Sequence, residues 1–199
     1  MNNLGKVRIV LWAIVALAIV GFGYLQFRPK PLPQPKQAYA SSVGGPFTLT
    51  AADGSTVTEQ SLKGRPYALF FGFTRCPDVC PTTLSRLAKL RGQMGSDGEK
   101  LQIVFVSVDP ESDTPADIGQ YTALFGTPIV GLTGTPEQIA KIAKAFHIYY
   151  AKVPQEGGNY TVDHSATVFL MDDRGRLQST LDMKDGDAAA LAKLERLVA

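Results

Sequence analysis

The two cysteines of this 199-residue chain both fall in one stretch, Leu69-Phe70-Phe71-Gly72-Phe73-Thr74-Arg75-Cys76-Pro77-Asp78-Val79-Cys80-Pro81. Its apolar, aromatic-rich first half follows the turn signal Gly64-Arg65-Pro66 and predicts a buried central strand. Pro81 suits the first turn of a helix, and Leu84, Leu87, Ala88, Arg91 and Met94 follow at helical spacing, so a helix is expected to start at or just before Pro81. Both thiols then sit at a strand-to-helix junction, where unpaired backbone N–H groups favour thiolate over thiol. Three residues separate the cysteines, one more than in a thioredoxin-type redox motif. Sulfurs at i and i+4 can converge on one side of a turn, which suits a shared soft metal, a redox-active pair, or a structural disulfide. Asp78, lying between them, is expected to work against thiolate formation unless a cation offsets its charge.

Ahead of this, the chain runs without a charge from Ile9 to Phe27, between Arg8 and Arg28. As a helix the run is about 28 Å long, close to the ~30 Å hydrocarbon core of a bilayer. It is apolar all round and lacks the polar face of a surface helix. Residues 1–8 read as a short tail, 9–27 as an uncleaved transmembrane signal anchor, and 28–45 as a tether carrying Pro29, Pro31, Pro33, Pro35, Gly44 and Gly45. The alternative is a cleaved signal peptide ending at Ala38-Tyr39-Ala40, a site far beyond the apolar run. No Arg-rich leader precedes the run, which points to a single-pass protein of a bacterial inner membrane with its domain on the periplasmic side. A formal charge of +2 and the lack of a basic, aromatic-interleaved patch exclude nucleic acid as the expected partner.

Residues 46–199 suffice for one domain with a substantial core. Asp53-Gly54 marks a hairpin, and Leu101 to Val108 reads as a second buried strand. Thr114-Pro115-Ala116-Asp117 and Thr135-Pro136-Glu137-Gln138 mark two helix starts, each with a capping threonine, a first-turn proline and an acceptor at N3. Ile129 to Leu132 lies between them as a short strand. Strands at 148–153 and 160–162 flank a Gly-Gly loop, those at 166–170 and 176–181 flank Asp172-Asp173-Arg174-Gly175, and 187–198 closes the chain as a helix. The order predicts an α/β protein, a mixed sheet flanked by helices, thioredoxin-like, with its site at the carboxyl end of the sheet.

Two histidines are available to join the cysteines there. His147 ends the helix begun at Thr135 and reads as a C-terminal residue near the negative end of the helix dipole. His164, in Tyr160-Thr161-Val162-Asp163-His164-Ser165, precedes a strand at the point where thioredoxin-like folds usually carry a proline facing the cysteine loop. Cys76, Cys80 and His164 can therefore make a two-sulfur, one-nitrogen set, while the plain alternative for His164 is a loop histidine at a sheet edge.

Residues 71–81, Val106-Ser107-Val108-Asp109-Pro110, Asp113-Thr114-Pro115, Leu132-Thr133-Gly134-Thr135 and Tyr160-Thr161-Val162-Asp163-His164-Ser165 closely resemble the Sco/SenC family, in matching order from Gly45 to about Leu181. The resemblance implies a membrane-tethered thioredoxin-like domain that takes copper through Cys76, Cys80 and His164 and helps assemble the binuclear copper centre of cytochrome c oxidase. It implies a place for Asp109 behind the ligands or facing a partner. Copper fits the donors: thiolates prefer Cu(I), and an imidazole makes Cu(II) tolerable. The expected partners are the oxidase copper-centre subunit, an upstream copper donor, and a thiol reductant that keeps Cys76 and Cys80 reduced in an oxidising compartment. The rival function uses the same pair as a thiol–disulfide oxidoreductase acting on the oxidase subunit. A metallochaperone is expected ahead of an enzyme.

Overall fold

The computed structural model describes residues 43–199, together with short helical pieces at 11–12 and 15–17. Among the described residues no helix is long and apolar enough to cross a membrane. The anchor expected at 9–27 and the tether lie largely outside them.

The fold is a seven-stranded mixed sheet with helices packed on it and a separate two-stranded hairpin. Strands β1 (Thr48–Ala51) and β2 (Thr56–Thr58) form the hairpin marked by Asp53-Gly54. Central strand β3 (Tyr67–Gly72) pairs parallel with β4 (Gln102–Ser107) and antiparallel with β8 (Val168–Met171). Strand β5 (Ile129–Thr133) lies parallel to β4 on its other side, and β9 (Leu177–Leu181) closes the far edge against β8. The sheet order is β2-β1-β5-β4-β3-β8-β9. Its half β4-β3-β8-β9, with a helix after each of β3 and β9, has the thioredoxin-like arrangement the sequence predicts.

All six residues of β3 are buried, because strands flank it on both sides and its two faces are both covered. Successive side chains point to opposite faces, so Phe71 packs on Phe146 and Phe169 at 5.5 and 6.2 Å between ring centroids, while Phe70 packs on Phe105 at 6.3 Å. Burial of each such ring contributes about 2–3 kcal/mol. Phe70 and Gly72 share the face on which the cysteines lie.

Helix α1 (Val79–Gln93) leaves β3 after a short loop and buries Cys80, Thr83, Leu84, Leu87 and Leu90. Helices α2 (Pro115–Ala123) and α3 (Pro136–Ala145) both open on complete capping boxes. At Thr135, Gln138 N–H donates to the hydroxyl at 3.3 Å and Thr135 N–H donates to Gln138 Oε1 at 2.8 Å. Helix α3 ends with His147 left-handed at φ 54°, Ile148 N–H on Ala143 O at 2.8 Å and His147 N–H on Lys144 O at 3.2 Å. That is a Schellman end, usually given to glycine, and it places His147 at a helix terminus as its position predicts. Helix α4 (Asp187–Val198) completes the chain. Strands β6 (Tyr150–Pro154) and β7 (Tyr160–His164) form their own sheet rather than joining the large one, and β7 extends two residues further than expected, ending on His164.

Candidate metal centre

Strands β3 and β4 end together, Gly72 opposite Ser107, and the loop that follows carries Cys76. Two buried carboxylates hold that loop. Asp113 accepts Thr74 N–H at 2.9 Å, Thr74 Oγ1–H at 2.6 Å and Ser107 Oγ–H at 2.5 Å. Asp109 accepts from Arg75 Nη2 at 2.8 Å, and its own N–H donates to Ser107 Oγ at 3.1 Å. The Asp109 side chain is fully buried inside this network.

Gly72 permits the close approach beneath the site. A Cβ there would lie 2.7 Å from Cys80 Sγ and 2.9 Å from Phe105 Cε2, so only a hydrogen fits. Cys80 is buried in the first turn of α1 while Cys76 stays partly open, and both are free thiols. Cys80 N–H donates to Cys76 Sγ at 3.3 Å, so the sulfur takes up a helix N-terminal N–H that no side chain caps. Asp78, at the N-cap position, turns its carboxylate to Thr82 Oγ1, which donates to it at 3.2 Å. The Asp78 carboxylate, expected to oppose thiolate formation, is exposed and engaged by Thr82, while the Asp78 backbone N–H favours a charged Cys76.

The structure brings Cys76, Cys80 and His164 together, with their donor atoms all within 4.8 Å of one another. Cys80 Sγ lies 3.3 Å from His164 Nε2, and His164 Nδ1 lies 3.0 Å from Ser165 O. A carbonyl only accepts, so Nδ1 carries the proton and the Nε2 lone pair faces the sulfurs, as metal ligation requires. Phe70 and Phe73 wall the imidazole at 6.0 and 5.9 Å between centroids. Cys76 is pulled down to about 4, first by its hydrogen bond with Cys80 and then, against the opposing effect of burial, by the backbone N–H groups of Cys80 and Asp78. Cys80 is pushed up by the same hydrogen bond and by burial. Cys76 therefore ionises first and Cys80 holds the proton.

Sequence reasoning named Cys76, Cys80 and His164 but missed Gly72, Asp113, Arg75 and Tyr160 as supporting groups. Asp113 sits beside the capping Thr114 and reads as part of a helix start. Its partner Thr74 is 39 residues away, a pairing that periodicity does not reveal.

One buried and one partly open thiol with an oriented imidazole at the end of a thioredoxin-like sheet define a class of protein built around a dithiol–imidazole site. Residues 35–199 match the SCO1/SenC family model. The chain belongs to the SCO1/SenC family. It is 39% identical over 150 residues to Protein SenC of Rhodobacter capsulatus, covering 75% of this chain and 66% of that protein. It is 43% identical over 135 residues to Protein SCO1 homolog 1, mitochondrial, of Arabidopsis thaliana, covering 66% of this chain and 40% of that protein. The chain thus matches two thirds or less of these relatives' own lengths. Among solved structures it resembles Bradyrhizobium japonicum ScoI with copper bound, with 45% identity, a TM-score of 0.72, and 78% of this chain and 99% of that one covered.

Proposed function

We propose that Cys76, Cys80 and His164 hold copper as cargo, and that the chain is a metallochaperone for the binuclear copper centre of cytochrome c oxidase. The observation that carries this reading is the convergence of two sulfurs and one lone-pair-bearing nitrogen within 4.8 Å. The donors fit the ion. Two thiolates suit Cu(I), and His164 Nε2 adds the borderline donor that Cu(II) needs, so one site serves both oxidation states. The copper-bound relative from B. japonicum, similar over most of its length, supports the same cargo here. Residues 9–27 anchor the domain to a bacterial inner membrane, residues 28–45 tether it, and 46–199 face the periplasm. There the oxidase copper-centre subunit is the recipient, and an upstream copper donor and a thiol reductant serve the site. Oxidation of the pair to a disulfide would remove both sulfur ligands and release the ion.

One observation favours a second reading. A partly exposed, acidic Cys76 beside a buried, proton-holding Cys80 is the division of labour that thiol–disulfide exchange uses, one sulfur attacking and the other resolving. Metal analysis of the full chain, reduced and copper-loaded, tests the class. About one copper per chain is expected from a single three-donor site. Copper no higher than background contradicts the chaperone and leaves the oxidoreductase.

A further inference from the structure

Tyr160 opens strand β7, the strand that ends on His164. Its hydroxyl meets both carboxylate oxygens of Asp109, at 2.9 and 3.0 Å, and Ser112 Oγ at 2.7 Å. Its ring lies against two cations, the Arg75 guanidinium at 5.0 Å and the Lys152 ammonium at 4.4 Å from the centroid. Arg75 immediately precedes Cys76 and also binds Asp109 and Ser112, at 2.8 and 2.7 Å. Lys152, on β6, reaches Glu111 at 2.7 Å. One aromatic side chain thus joins the cysteine loop, the turn after β4 and the hairpin that carries the imidazole.

The hairpin needs such a tie. Strands β6 and β7 pair only with each other, and a lone two-stranded hairpin is marginal in water. Residues 152–154 of β6 are exposed, and Val162 is the buried apolar residue of β7. Asp109, by contrast, is a fully buried carboxylate whose charge-assisted bonds are strong and cannot be exchanged for water.

Resting on the copper reading above, we propose that Tyr160 is a positioning residue: its clasp on Asp109 and its contacts with Arg75 and Lys152 set the reach of His164 to Cys76 and Cys80, and so decide whether the site presents three donors or two. The clasp then governs Cu(II), which needs the nitrogen, and leaves Cu(I), which the sulfurs alone satisfy, almost untouched.

The test uses the full chain with Tyr160→Phe, which removes only the hydroxyl, and Asp109→Asn, which keeps the side-chain volume should the first variant fold poorly. Each is made alone and with His164→Ala, and Cu(II) and Cu(I) affinities are measured by competition. Tyr160→Phe is expected to weaken Cu(II) about tenfold, change Cu(I) less than about threefold, and lower the nitrogen hyperfine signal of the Cu(II) spectrum. In the His164→Ala background the same change should add nothing, because the residue acts through the imidazole. Losses that add in both backgrounds, or that fall equally on both oxidation states, overturn the proposal. Hydrogen exchange of the metal-free protein reads the clasp without copper: hairpin amides should exchange about tenfold faster in Tyr160→Phe, with those of β3 unchanged. If the wild-type chain takes up no copper, the chaperone reading fails on its own and exchange decides the clasp; unchanged hairpin exchange overturns it.

Discussion

At the scale of single residues, the site depends on an absence as much as on its donors. Gly72 leaves room for the Cys80 sulfur, and a methyl group there would enter the space of Cys80 Sγ and Phe105 together. Both neighbours are buried and neither can swing into solvent. Gly72→Ala should therefore cost about 1–3 kcal/mol, read by denaturant unfolding, and should perturb the Cu(II) absorption spectrum. A stable variant with an unchanged spectrum contradicts this packing. The acidity of Cys76 gives a second residue-scale prediction. Its folded value, about 4, lies below the ordinary 9.0, so its contribution to stability is full above the ordinary value and is lost as pH falls through the folded one. In the reduced, metal-free protein Cys76 should be a thiolate throughout the neutral range. Its alkylation rate should be nearly flat from about pH 6 to 8, with Cys80 protected. A rate that climbs about tenfold per pH unit across that range contradicts the assignment.

At the scale of elements, the cysteine loop is pinned to the end of β4 more firmly than α1 is capped. Asp113→Ala would leave Thr74 N–H, Thr74 Oγ1 and Ser107 Oγ without their buried acceptor, and should cost about 3 kcal/mol or more. Thr135→Ala removes one exposed cap from α3 and should cost only about 1 kcal/mol. Chemical denaturation of the two variants checks the ranking, and equal losses would contradict the role given to Asp113. The same contrast shows what could be read in advance. Both capping boxes are local, spelled within four consecutive residues, and β3 announces itself by an uninterrupted apolar run. Asp113 and Tyr160 act on residues 39 and 51 positions away, and nothing in the residues around them carries that information. The separation of β6 and β7 from the large sheet was equally illegible, since the alternation of a strand does not name its neighbour.

At the scale of the whole molecule, the order of strands and helices was legible because helices and strands alternate early and hairpins close late. The convergence of Cys76, Cys80 and His164 was legible because a chain with two cysteines and two histidines offers few combinations, and His147 is explained by the end of α3. The anchor is a separate expectation carried by the uncharged run at 9–27. The mature protein should keep Met1 and stay with membranes after alkaline washing, and a mature N-terminus at Ser41 would contradict it.

The central claim is copper delivery through Cys76, Cys80 and His164, and His164→Ala tests it most directly in cells carrying the variant as their only copy. The substitution removes the nitrogen donor but leaves both sulfurs at the N-terminus of α1, so thiol exchange should survive while Cu(II) binding weakens far more than Cu(I) binding. Cys76→Ser and Cys80→Ser disable both functions and cannot separate them. Oxidase activity is measured together with the reduction potential of the purified variant. Delivery predicts failed oxidase assembly with an essentially unchanged potential; normal assembly in a variant whose Cu(II) binding is measurably impaired would contradict it.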